Sequence, residues 1–245
     1  MLPTGVASAA ADTDITALET TNQFAMDEAA GPADVSITEL QSNTTDGDAS
    51  AYEGQVVNTS GTVTATNANG FFLQDASADD VQHSGVYVYT GGAPSVAPGD
   101  VVDVEAPVKE YNGLTELDLT GDNATVSTTG SESVPEATPI STADAAQEAY
   151  EGVFVNVTDL EVTKTPGQYG EWAVTDGSSA IAVDDKTTGD ETTPSENGST
   201  IDAIEGPVFY SFGAFKASAC DRFEPDRPGN RRRRWRRRGK RRRFR

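Results

Sequence analysis

The sequence predicts an all-β chain built as two small five-stranded barrels in tandem, with a flexible N-terminal lead and a basic C-terminal tail. Three observations predict it. The string AYEGQVVNTSGTVTAT at residues 51–66 returns in outline as AYEGVFVNVTDLEVTK at residues 149–164. After each copy, apolar and polar residues alternate in short runs, the period of strands with one buried face. Between those runs Gly, Pro, Asn and Asp cluster where turns are needed. A unit repeated at a spacing of about a hundred residues suits two small domains and not a short-period solenoid.

In the first copy, residues 55–66 read as a long strand, 67–70 as a turn and 70–74 as a second strand. GVYVYT at residues 85–90 is the third, followed by the turn cluster GGAPSVAPGD. Residues 101–110 form the fourth, and Asn112-Gly113 turns the chain into a fifth at 114–119. Five short strands with a long, bent first one are the pattern of a Greek-key barrel of the OB type. The second copy repeats the order at residues 153–164, 170–175, 180–184, 201–210 and 213–217. A helical apolar stripe is suggested only at residues 142–150. The expected organisation is a lead at 1–34, a barrel at 35–126, a linker at 127–142, a barrel at 143–217 and a tail at 218–245. The linker rests on STTGSESVPEATPIST, whose Ser, Thr, Glu and Pro content suits a flexible connection.

Charge divides the chain near residue 221. Residues 1–220 hold four lysines against 36 carboxylates, a formal charge of −32, and no arginine. Residues 221–245 hold 14 basic residues against three acidic ones, a charge of +11. The acidic, Thr- and Ala-rich body has the composition of proteins from salt-loving microbes, in which surface carboxylates keep a protein hydrated in concentrated salt. RRRRWRRRGKRRRFR at the end is expected to be a reading-frame error: with CGA arginine codons, a one-base shift converts RRWRR into an aspartate-rich run matching the body. The alternative is a true basic tail that contacts phosphates, with Trp235 and Phe244 interleaved.

A single cysteine, Cys220, excludes a disulfide framework. No apolar run is long enough to span a bilayer as a helix. The small-residue stretch ASAAA near the start is like the cleavage region of an export signal, so a start codon upstream of Met1 and an extracellular or cell-surface location are expected. Asparagine sequons at Asn43, Asn58, Asn123, Asn156 and Asn197 fit such a location. His83 is the sole histidine and lies in a polar loop, which argues against a catalytic role. Asp79-Asp80 and Asp184-Asp185 are expected as surface charge, so no metal site and no cofactor are assigned.

SITELQ, AYEGQVVNTSGTVTAT, GFFLQD, GVYVYTGG, PSVAPGDVVDV and VKEYNGLTEL, with EAYEGVFVNVTDLEVT, GEWAVTDGSSAIAVDD and IEGPVFYSFGAFK in the second copy, resemble the OB-fold region of large secreted nucleases of the endonuclease/exonuclease/phosphatase superfamily. The resemblance spans roughly residues 35–217. It implies a non-catalytic, nucleic-acid-binding accessory module, with single-stranded DNA or RNA as partner and the nuclease domain itself expected downstream in the intact gene product.

An OB barrel binds single strands by stacking bases on exposed aromatics while a basic groove follows the backbone. Side chains alternate along GVYVYT, so Tyr87 and Tyr89 share one face and Val86 and Val88 the other. Tyr87 and Tyr89 are therefore the expected platform, joined by Phe72 or Phe71 from the preceding strand, only one of which can face outward. Tyr169 and Trp172 are the expected counterparts in the second barrel. Scarcity of Lys argues against phosphate binding, an objection that weakens where molar salt screens repulsion. The other class of function is a structural or adhesive cell-envelope module without nucleic-acid binding, contacting carbohydrate or protein. Exposure of the aromatics favours the first reading and their burial the second.

Overall fold

The computed structural model describes residues 31–42, 44, 48–168, 170–184, 194 and 196–219. The arginine-rich tail, Cys220 and Tyr169 lie outside them. β1 (Ala33–Asp34) runs parallel to β2 (Val56–Asn67), and α1 (Ile37–Ser42) lies between them in the chain. Strand periodicity gives no sign of this short helix, although SITE carries the Ser-x-x-Glu pattern of a helix start. The Glu39 N–H donates to Ser36 Oγ at 3.1 Å, and Ile37 and Leu40 are fully buried in the core of the first barrel. Each such side chain contributes about 1.5–3 kcal/mol of burial.

The first barrel follows with β3 (Gly70–Gln74), β4 (Gly85–Tyr89), β5 (Asp100–Tyr111) and β6 (Leu114–Asp118). Its strand order is β2-β3-β4-β6-β5, and β5 pairs again with β2 to close the circle; β4 and β6 are parallel. β2 closes it by serving two partners. Residues 56–62 pair with β5 and residues 62–67 with β3, with a register shift between Val63 and Ala65. Gly61 stands at the crossover, where a Cβ would lie 2.7 Å from the Gln74 carbonyl oxygen. Val57, Val63, Phe71, Leu73, Val86, Val88, Val102 and Val104 fill the interior.

β7 (Thr125–Ser131) adds to β5 outside the barrel, and β8 (Thr138–Pro139) runs parallel to β9 (Phe154–Lys164). Two 3-10 turns, Asp144–Ala146 and Glu148–Tyr150, occupy the segment expected to be helical. The second barrel comprises β9, β10 (Trp172–Thr175), β11 (Ala180–Asp184), β12 (Thr200–Ser211) and β13 (Ala214–Ser218). Its order is β10-β11-β13-β12-β9, closed by β9 and β10, with β11 and β13 parallel. Both barrels are thus the same topology, the two five-stranded OB-like barrels expected, and both fall in one compact unit that starts at Pro32.

The segment 127–142, expected to be a flexible linker, is held at both ends. Thr-rich sequence satisfies strand pairing as readily as it suits a loop, and β7 pairs with β5 through Ser131. At the other end the fully buried Thr142 hydroxyl donates to Asp176 Oδ1 at 2.7 Å, and the Thr142 N–H donates to Asp176 Oδ2 at 3.0 Å. Burial raises the Asp176 pKa, but hydrogen bonds from Ser178 and Thr142 outweigh it and hold the carboxyl below its ordinary range. Glu132 still donates its N–H to the Gly99 carbonyl at 2.8 Å and accepts from the Thr62 hydroxyl, so within this segment only residues 133–136 are left without pairing or full burial. A glutamate-specific protease in molar salt is therefore expected to nick at Glu136 first, and the two fragments to co-elute on gel filtration at pH 5; separate elution there would contradict a packed pair.

Candidate nucleic-acid interface

Strand register places Ala65, Phe72, Tyr87, Glu116 and Lys109 in one row across β2, β3, β4, β6 and β5, on the outer face of the first barrel. Phe71, one residue from Phe72, points into the core, as does each of Val86 and Val88 beside Tyr87. The rings of Phe72 and Tyr87 have centroids 5.1 Å apart. The Tyr87 hydroxyl donates to Asn67 Oδ1 at 3.0 Å, and burial pushes its pKa up to about 12. Burial likewise raises Glu116 to about 7, with Asp118 adding to the effect. Lys109 bridges to Asp118.

This row is covered. Phe209 on β12 sets its ring 5.7 Å from Phe72 and 5.3 Å from Tyr87, both edge-on, so that Phe72 and Tyr87 are 1% and 4% exposed. Ala65 and Leu114 complete the patch, with Tyr89 and Tyr210 packed partly buried against it. Edge-on aromatic pairs contribute about 0.5–1.5 kcal/mol each beyond their area. The outward platform expected of Phe72 and Tyr87 is therefore an inter-barrel contact: the alternation put them on the outer face correctly, but an outer face of one barrel is the docking face of the next. Tyr89 alone keeps partial exposure.

The equivalent row of the second barrel reads Lys164, Ala173, Ala182, Lys216 and Phe209. The aromatic positions of the first row are alanines here. Trp172, expected as an exposed counterpart, pairs with Val183 and lies in the second core. Its one-residue offset from Ala173 turns it inward, as Phe71 is turned relative to Phe72. Lys216 is buried and bridged to Glu171, and its Nζ lies 5.2 Å from the Phe212 ring centre. Phe212 is the most exposed large apolar residue among those described, at 89%.

Two hairpin tips, Asn112-Gly113 and Phe212-Gly213, share positive φ at both positions, the geometry of a two-residue turn that matches strand twist. Gly113 and Gly213 line one cleft of about 710 Å³ with Asp48, Glu110, Glu148 and Tyr210. Its carboxylates suit a hydroxyl-rich ligand or a base edge better than a phosphate. Among the described residues no group of three or more His, Cys, Asp or Glu is placed to hold a metal ion, and no helix is long and apolar enough to cross a membrane.

Sequence reasoning missed Phe209, Glu151 and Gln74, the residues that join the barrels. The Phe154 N–H donates to Gln74 Oε1 at 2.9 Å and the Thr115 N–H to Glu151 Oε1 at 3.0 Å, each across the seam. His83 lies in the same seam, its backbone N–H donating to the Ala149 carbonyl at 2.7 Å.

No family model matches the chain, and no curated protein matches it. Among solved structures, one described as "Structural mimicry for functional antagonism" is 13% identical over 73% of this chain and 94% of its own, with a TM-score of 0.33. A second, "Molecular basis for abrogation of activation of pro-inflammatory cytokines", has the same identity and coverage at 0.34. A third, the Ifi202 HINa domain in complex with 20bp dsDNA, is 14% identical over 62% of this chain and 83% of its own, at 0.30. Likeness at this level carries no argument about function.

Proposed function

We propose that the chain is a non-catalytic accessory module that binds single-stranded nucleic acid, belonging to a secreted nuclease of a salt-loving microbe whose catalytic domain lies elsewhere in the gene product. The observation that carries this reading is the cross-strand pair Phe72 and Tyr87 on the outer face of an OB-type barrel, with Tyr89 next on the same face. Two adjacent rings there can stack two bases, each worth about 1–3 kcal/mol. The resemblance of residues 35–217 to nuclease-associated OB regions supports the same substrate class. Binding requires Phe209 to give way, because it covers those rings.

A second reading, a structural or adhesive envelope module, draws support from that same burial and from the bridging of Lys109 and Lys216 to carboxylates. The two are separated by fluorescence anisotropy with labelled oligothymidylate and the full chain in molar salt, where contacts of the basic tail are suppressed. Phe209→Ala is expected to tighten binding at least about fivefold, and adding Tyr87→Ala to abolish the gain. Equal, negligible binding by all three proteins would leave the structural module.

A further inference from the structure

The seam between the barrels joins acidic groups to acidic groups. Glu151, 1% exposed, accepts from the Thr115 N–H through Oε1, while its Oε2 is buried with no hydrogen-bond partner. The residue also bridges to Val208 on β12, the strand that carries Phe209. The groups that act on its carboxyl are Glu148 on its own 3-10 turn, Glu110 on β5, the Thr115 N–H on β6 and the neutral Gln41 side chain on α1. Glu148 in turn faces Asp48 and Glu110. Glu110 accepts from the Ser50 N–H at 2.9 Å and the Thr115 hydroxyl at 2.6 Å. No lysine is among the groups that shift Glu148 or Glu151.

We propose that this seam is a carboxyl-gated latch: with Glu151 and Glu148 protonated the second barrel docks over the Phe72–Tyr87 row, and their ionisation lifts it and uncovers that row. Its consequence for nucleic acid rests on the function proposed above; the latch itself does not.

Geometry makes the closed seam intolerant of charge. A buried carboxylate served by neutral donors alone, the Thr115 N–H and the Gln41 side chain, is far more costly ionised than neutral, and each further charge among Glu110, Glu148 and Asp48 repels the next. Burial, then Glu148, raise the Glu151 pKa well above 4.5, and burial with Asp48 and Glu110 raises Glu148 to about 7. Once the barrels part, both carboxyls face water and return towards their ordinary range. A group whose closed-state pKa is raised binds more protons closed than open. Closure is therefore strongest below about pH 4.5 and weakens as pH rises towards the raised values, by up to tenfold per pH unit for each carboxyl.

The test is hydrogen exchange by mass spectrometry on the full chain in molar salt at pH 5 and pH 8, with rates corrected for intrinsic chemistry. Peptides covering Thr115 and Phe154, whose N–H groups cross the seam, are expected to lose at least about tenfold in protection at pH 8. Strands inside each barrel should not. Glu151→Gln, neutral at every pH, is expected to reduce that loss by at least about tenfold, leaving the share of Glu148; if it fails to fold, Glu148→Gln on the cleft wall serves in its place. Equal protection at both pH values, or an equal loss in the wild type and the Gln variant, overturns the latch. Oligothymidylate is measured in parallel, since the arginines of the tail do not titrate in this range. Wild type should bind more tightly at pH 8 than at pH 5, and Tyr87→Ala should lose the difference. Opening without any binding upholds the latch and overturns the nucleic-acid reading; binding without opening does the reverse.

Discussion

Gly85→Ala is expected to cost about 3 kcal/mol and to uncouple the two barrels. A Cβ at Gly85 would stand 2.1 Å from the Gly152 carbonyl carbon and 2.4 Å from the Val153 nitrogen, both backbone atoms with no flexible side chain to move aside. Gly152 cannot relieve the clash by rotating, because its own φ of +74° and its 2.9 Å hydrogen bond to the Val208 carbonyl tie it to β12. Calorimetry in molar salt at pH 5 is expected to show one transition for the parent and two for the variant. Gly92→Ala, which meets nothing within 4 Å, is the control and should change stability by under about 0.5 kcal/mol. One undisturbed transition in both variants would show that the barrels do not depend on this contact.

Trp172→Ala is expected to destabilise the second barrel by about 3–5 kcal/mol, the range for emptying a core of its largest aromatic. Trp172 is 5% exposed and packs with Val162, Val174, Ile181 and Val183. Tyr89→Ala, at the partly open edge of the first row, should cost far less. Urea unfolding followed by circular dichroism distinguishes the two. A Trp172→Ala protein of near-parental stability that merely bound oligonucleotide less well would return that residue to a surface platform.

Strand alternation makes much of the fold legible in the amino-acid sequence. It separates Val86 and Val88 from Tyr87 and Tyr89, and the repeated AYEG string marks a duplicated barrel. The same alternation does not say what lies beyond an outer face, and that is where the site expectations fail. Phe72 and Tyr87 face outward from their own sheet and are still buried, because Phe209, more than a hundred residues later, closes over them. Trp172 fails for a simpler reason: its register is that of Phe71, and a one-residue offset moves a side chain to the other face. AYEG itself hides the asymmetry that matters. Glu53 of the first copy is exposed and Glu151 of the second is buried, where it accepts from the Thr115 N–H across the seam. The linker reading weighs composition alone, and Thr serves a strand as well as a loop.

The short unpaired stretch at residues 133–136 sets how strong the seam has to be. Two modules joined by a brief connection meet at an effective concentration on the order of millimolar. An interface that would hold free partners together at micromolar concentration therefore keeps these two closed about a thousandfold more often than open. That margin, about three orders of magnitude in the equilibrium constant, is within what two carboxyls supply over about two pH units at up to tenfold per unit each. Tethering is thus what lets a charge-sensitive contact of moderate strength act as a two-state element instead of a concentration-dependent association.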